Sequence, residues 1–120
     1  MRRTFTVLLS VPLLFATSFA QSRIHAVSFY SPSVRDTMHV VILLPTEYDH
    51  NRAYPVLFLL HGYGGDQTDW TERTDLVSYT AGLAMIIVMP EAKNSWYVDS
   101  DSDPRARYED YIIHDLPDFV

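Results

Sequence analysis

The stretch Val56–Trp70, VLFLLHGYGGDQTDW, decides how the chain is read. Val56 to Leu60 is an apolar run with no polar break, the pattern of a strand in the buried middle of a sheet covered on both faces. The run stops at His61-Gly62, and three of the chain's four glycines, Gly62, Gly64 and Gly65, fall within four positions. Glycines just past a strand let the backbone turn sharply and present its amides to a ligand. An acidic and aromatic cluster follows. Asp69 to Ala81 then reads as one amphipathic helix, with Trp70, Leu76, Val77 and Tyr79 as loosely spaced apolar positions and Gly82 as its stop.

Working outward, Ile24 to Tyr30 reads as a short strand and Met38 to Leu44 as a stronger, nearly continuous apolar one ended by Pro45. Ser31-Pro32-Ser33 and Arg35-Asp36 suit a hairpin connection between them. Thr46 to Pro55 is a polar loop. Ala84 to Met89 is a second buried strand, stopped by Pro90. A long polar loop, Glu91 to Pro104, leads to a helix over Arg107 to Val120, where Tyr108, Tyr111, Ile112, Asp115 and Phe119 lie close by i, i+3, i+4 spacing. The order is β, β, β, α, β, α. Val56 to Met89 is long enough for a parallel crossover. Open sheets built from such units bind ligands beyond the carboxyl ends of their strands, which is where His61 to Gly65 falls.

The chain has 120 residues, 48% of them hydrophobic, enough for one small domain. Its formal charge of -6 offers no basic stripe to nucleic-acid phosphates. With no cysteine, disulfides, thiolate catalysis and cysteine-based zinc sites are excluded. Residues 1–20 read as a cleaved export signal: Arg2 and Arg3, an apolar stretch from Phe5 to Phe15 too short to span a bilayer, and Ser18-Phe19-Ala20 as the small-x-small cleavage site. Removing them leaves seven basic against fifteen acidic residues, a formal charge of -8, over the remaining portion 21–120. An exported protein, periplasmic or extracellular, with no membrane anchor after cleavage is the expectation.

The glycine stretch does not fit a nucleotide. It runs G-x-G-G, with Gln67 at the last glycine position of G-x-G-x-x-G, and no P-loop lysine and serine follow. The mechanical reading left is an oxyanion hole, in which an amide just after His-Gly donates to the negative oxygen of an acyl-transfer intermediate. The histidines at 25, 39, 50, 61 and 114 show no paired metal spacing, and no metal or cofactor is expected. Asp99-Ser100-Asp101-Ser102-Asp103 opens like a calcium loop. Pro104 stands where an EF-hand needs glycine and Asp110 where it needs a bidentate glutamate, so a solvated acidic loop is the better reading.

Three segments, YPVLFLLHGYGGDQTDW, MIIVMPEAKNSWYVDS and RYEDYIIHDLPDFV, cover most of Tyr54 to Val120 and together resemble the N-terminal half of the esterase D and antigen 85-like esterases of the α/β-hydrolase class, which include feruloyl esterases. The resemblance implies an α/β fold, a mostly parallel sheet with helices on both faces, cut short before the nucleophile elbow. It places one oxyanion amide on Tyr63, after His61-Gly62. His61, Gly64 and Gly65 would support that loop, His61 by hydrogen bonding. Trp70, Trp96 and Tyr97 would lie beside the substrate pocket. The implied activity is hydrolysis of a small-molecule or carbohydrate-linked carboxylic ester. His61 stands where the antigen 85 type carries an acid, which weighs against mycolyl transfer.

No serine lies two residues after a glycine, so the sequence holds no G-x-S-x-G elbow. The serine, acid and histidine of the triad are expected after Val120. The expectation is therefore an enzyme fragment, inactive and marginally folded alone, with exposed strand edges. Two rival readings stand beside it. One is a secreted binding module that stacks sugars on Trp70, Trp96 and Tyr97. The other is an exported peptidase using the same triad logic.

Overall fold

In the computed structural model, residues 23–120 are described. The export signal expected over residues 1–20 lies outside them. The sheet has four strands: β1 (Ile24–Ser31), β2 (Asp36–Leu43), β3 (Val56–Phe58) and β4 (Ile86–Pro90). Their spatial order is β1-β2-β4-β3. β1 and β2 form an antiparallel hairpin from Ile24↔Leu43 to Ser31↔Asp36. β2 pairs antiparallel with β4, from Val40↔Pro90 to Leu43↔Ile87. Only β3 and β4 run parallel, from Val56↔Ile86 to Phe58↔Val88.

The described sheet is therefore mixed, not mostly parallel. One connection here, from β3 to β4, carries a crossover, whereas the hairpin forces β1 against β2 and leaves β2 antiparallel to β4 as well. Val56–Leu60 is not the buried middle of this sheet either. β3 keeps three residues and stands at the edge, so Val56 and Leu57 are 42% and 44% exposed. The central places belong to β2 and β4, where residues of both parities are buried.

Alternate side chains along the central strands sort into two clusters. Met38, Val40 and Val88 pack with Val34, Tyr111 and Leu116. Val41, Leu43, Ile87 and Met89 pack with Trp70, Leu76 and Val77. The period of two along each strand produces the split, because neighbours on a strand point to opposite faces.

The helix expected over Asp69–Ala81 is two short pieces, α1 (Asp69–Arg73) and α2 (Leu76–Tyr79). Thr74 between them is extended, at φ -137° and ψ 164°. Its hydroxyl donates to the Trp70 carbonyl at 2.5 Å, taking the place of a helical amide. The last helix runs from α3 (Tyr108–Asp110) through a wider π turn (Tyr111–Asp115) into α4 (Leu116–Phe119). Pro117 has no N–H for the Ile113 carbonyl and its ring crowds that oxygen, which accounts for the opened turn. Asp99, at the head of the acidic loop, accepts the Glu109 and Asp110 amides at 2.9 and 3.3 Å and pairs with Arg107 at 3.0 Å. It caps this helix rather than standing free in solvent.

Candidate active site

Parallel pairing brings the loops that leave β3 and β4 to the same end of the sheet. Beyond β3, Gly62 to Gly65 form a tight turn closed by the Gly65 N–H on the Gly62 carbonyl, 3.1 Å. Gly64 takes the third position at φ +76°, which a type II turn reserves for glycine. Gly65 stands against the Asp69 carboxylate, which would have to swing aside to admit a Cβ there. Tyr63 takes the second position, whose amide faces away from the turn. The Tyr63 N–H has no acceptor among the described residues.

His61 joins this turn to the loop after β4. Its Nε2 accepts the Ala92 N–H at 3.1 Å, so the ring proton sits on Nδ1, which donates to the Gly62 carbonyl at 2.7 Å. The His61 carbonyl accepts the Tyr97 hydroxyl at 3.0 Å. Burial pushes the Tyr97 phenol up, against a smaller opposing effect of that bond, and keeps it a donor. The Gly64 N–H donates to Asn94 Oδ1 at 2.8 Å. Asp66 accepts the Thr68 hydroxyl and amide, both at 2.7 Å, and these two donors hold its carboxyl below the usual range.

Two concavities flank the turn. One, of about 310 Å³, is lined by His61 to Gly65 with Asp69, Trp70, Arg73 and Thr74. The other, of about 90 Å³, lies between His61 to Tyr63 and Lys93, Asn94, Trp96 and Tyr97. All eight residues singled out from the sequence, His61 to Gly65, Trp70, Trp96 and Tyr97, thus meet at one end of the sheet. Their polar atoms are differently engaged. The Trp70 indole N–H is spent on the Leu60 carbonyl at 2.9 Å and the Tyr97 hydroxyl on His61. Trp70 lines the larger concavity, and Trp96 and Tyr97 line the smaller one. Sequence reasoning missed Asn94. The available signal was topological: parallel neighbours put the residues after Pro90 beside those after Phe58. Among the described residues, no group of three or more His, Asp or Glu side chains is arranged to hold a metal ion.

Residues 31–120 match the family described as "Putative esterase". The chain belongs to that family. An esterase of Mycobacterium tuberculosis is 40% identical over 84 residues, covering 65% of this chain and 18% of the relative. An acetyl esterase of Caldicellulosiruptor saccharolyticus is 22% identical over 102 residues, covering 78% of this chain and 38% of the relative. Among solved structures, a fluorophosphonate-binding serine hydrolase of Staphylococcus aureus superposes with a TM-score of 0.68 at 23% identity, covering 81% of this chain and 39% of that one. That likeness is one of fold, to part of an α/β-hydrolase. This member of the esterase family spans well under half the length of these relatives.

Proposed function

We propose that the chain supplies the oxyanion-binding loop and first strands of an exported serine hydrolase acting on short-chain or carbohydrate-linked carboxylic esters. The observation that carries this reading is the unpaired Tyr63 amide, fixed between two concavities beyond the carboxyl ends of the parallel pair. Family membership and the acetyl esterase relative support ester chemistry. The N-terminal pattern of Arg2, Arg3, an apolar stretch and Ser18-Phe19-Ala20 supports export.

In the whole enzyme the sheet is mostly parallel, with helices on both faces, and the triad comes from residues outside these 120. A serine oxygen attacks the ester carbonyl carbon and its proton passes to a histidine. The carbonyl oxygen takes up negative charge and accepts the Tyr63 N–H. Collapse expels the alcohol with that proton, and water then releases the acid from the acyl-enzyme. His61 acts by positioning, since both its ring nitrogens are engaged with backbone groups.

Tyr63→Pro tests the proposal in the natural full-length protein. Proline is favoured at the second position of a type II turn, so the exchange removes the N–H with little change of backbone. The expected loss in kcat for 4-nitrophenyl acetate is about 10²- to 10³-fold. Tyr63→Ala, which keeps the N–H, loses far less. Equal losses in both variants, or no release of nitrophenol by the parent protein, overturn the reading.

A further inference from the structure

Tyr63 and Trp96 are 70% and 71% exposed, yet their rings stack, with centroids 5.3 Å apart and 24° between the planes. No shared element imposes this contact: one ring comes from the turn after β3 and the other from the loop after β4. The second loop holds Lys93, Trp96 and Tyr97 at φ +51°, +58° and +59°. Left-handed backbone is strained at each such side-chain-bearing residue. The strain is held by bonds already described, Gly64 to Asn94 and Tyr97 to His61, and by the Tyr97 N–H on Ser95 Oγ at 3.2 Å. Strain of this kind collects at ligand sites.

We propose that the Tyr63 and Trp96 rings form a shelf that receives a flat ring on the alcohol side of the ester. The inference rests on the ester-hydrolase reading above. One residue supplies both parts: the Tyr63 amide faces the carbonyl oxygen, and the Tyr63 side chain carries the shelf. A ring lying on the shelf is therefore within one residue's reach of the scissile bond. The smaller concavity, about 90 Å³ and lined in part by Tyr63 and Trp96, has room for a small acyl group. An aromatic ring or the apolar face of a pyranose covers exposed aromatic surface that an acyclic chain covers poorly. Tyr63 and Trp96 are then specificity-determining residues.

Three acetamides test this on the full chain: acetanilide, methyl N-acetylglucosaminide and N-hexylacetamide. They share the acetyl group, differ in what stands on the leaving side, and resist an esterase, so ligand-observed NMR reads binding apart from turnover. At least one ring-bearing amide is expected to bind about five- to tenfold tighter than the hexyl compound. Which one does so distinguishes an aryl from a sugar alcohol. Trp96→Ala and Tyr63→Ala each bring the three affinities together, and Trp96→Phe restores part of the preference. Equal affinities in the parent chain, or a ring preference that survives both alanine variants, overturn the shelf. The two readings fail separately. Ring preference in a protein that hydrolyses no ester keeps the shelf and defeats the hydrolase; ester turnover without ring preference does the reverse.

Discussion

His61 couples two loops through a single side chain. The ring takes the Ala92 N–H on one nitrogen and gives its proton to the Gly62 carbonyl from the other, while its own carbonyl holds Tyr97. Ala92 is buried, and the ring is the acceptor of its N–H, so removing the ring leaves that donor without its partner. His61→Ala is therefore expected to cost about 1–3 kcal/mol, the penalty of a buried donor left without a partner. Urea unfolding reads this as a lower midpoint at unchanged slope. His61→Gln, which still offers an acceptor oxygen, recovers part of the loss. An unchanged midpoint in His61→Ala would show that the loops hold each other without the ring. The residue itself stood out in the sequence, as the polar stop of an apolar run. Its partner Ala92 did not, because a backbone donor carries no side-chain signature.

At the scale of elements, the hairpin and the last helix are tied by one carboxylate. Asp115, in the π turn, accepts the Ser33 N–H at 2.9 Å and the Ser31 hydroxyl. Burial pushes its carboxyl up, but the donors from Ser31 and Ser33 prevail and hold it below the usual carboxylate range. A depressed acid contributes stability that is present above its unfolded value of about 3.9 and lost as pH falls through the folded value. Asp115→Asn is thus expected to be less stable than the parent at pH 6, with a gap that narrows toward pH 3. A gap constant across that range contradicts the tie. Strands were largely legible in the sequence, because β2 and β4 announce themselves by apolar runs beside prolines and β1 by a shorter, mixed pattern ahead of a turn. The interruptions of the helices were not. The break at Thr74 depends on its hydroxyl finding the Trp70 carbonyl, and the π turn on where Pro117 falls relative to Ile113. The meeting of the glycine turn with the Trp96 loop was legible through the resemblance and, more faintly, through the parallel crossover expected over Val56 to Met89. It depends on strand order, and periodicity along one strand says nothing about which strand lies beside it.

For the whole molecule, the decisive feature is the β3 edge. An apolar run that reads as interior ends at the border of the described sheet, with Val56 and Leu57 exposed on opposite faces. Relatives that this chain spans only in part have more chain with which to cover such an edge. On these 120 residues by themselves, the unpaired side of β3 is a template for a strand of a second molecule. The expected consequence is concentration-dependent association, read by light scattering or by elution volume over a dilution series. Leu57→Lys places like charges where two edges would meet and is expected to weaken association by roughly tenfold or more. Lysine at Tyr79, which is more exposed than Leu57 and belongs to α2, controls for added charge and should leave association close to that of the parent. If both lysines act alike, net charge governs the association; if Leu57→Lys alone acts, the free strand edge does.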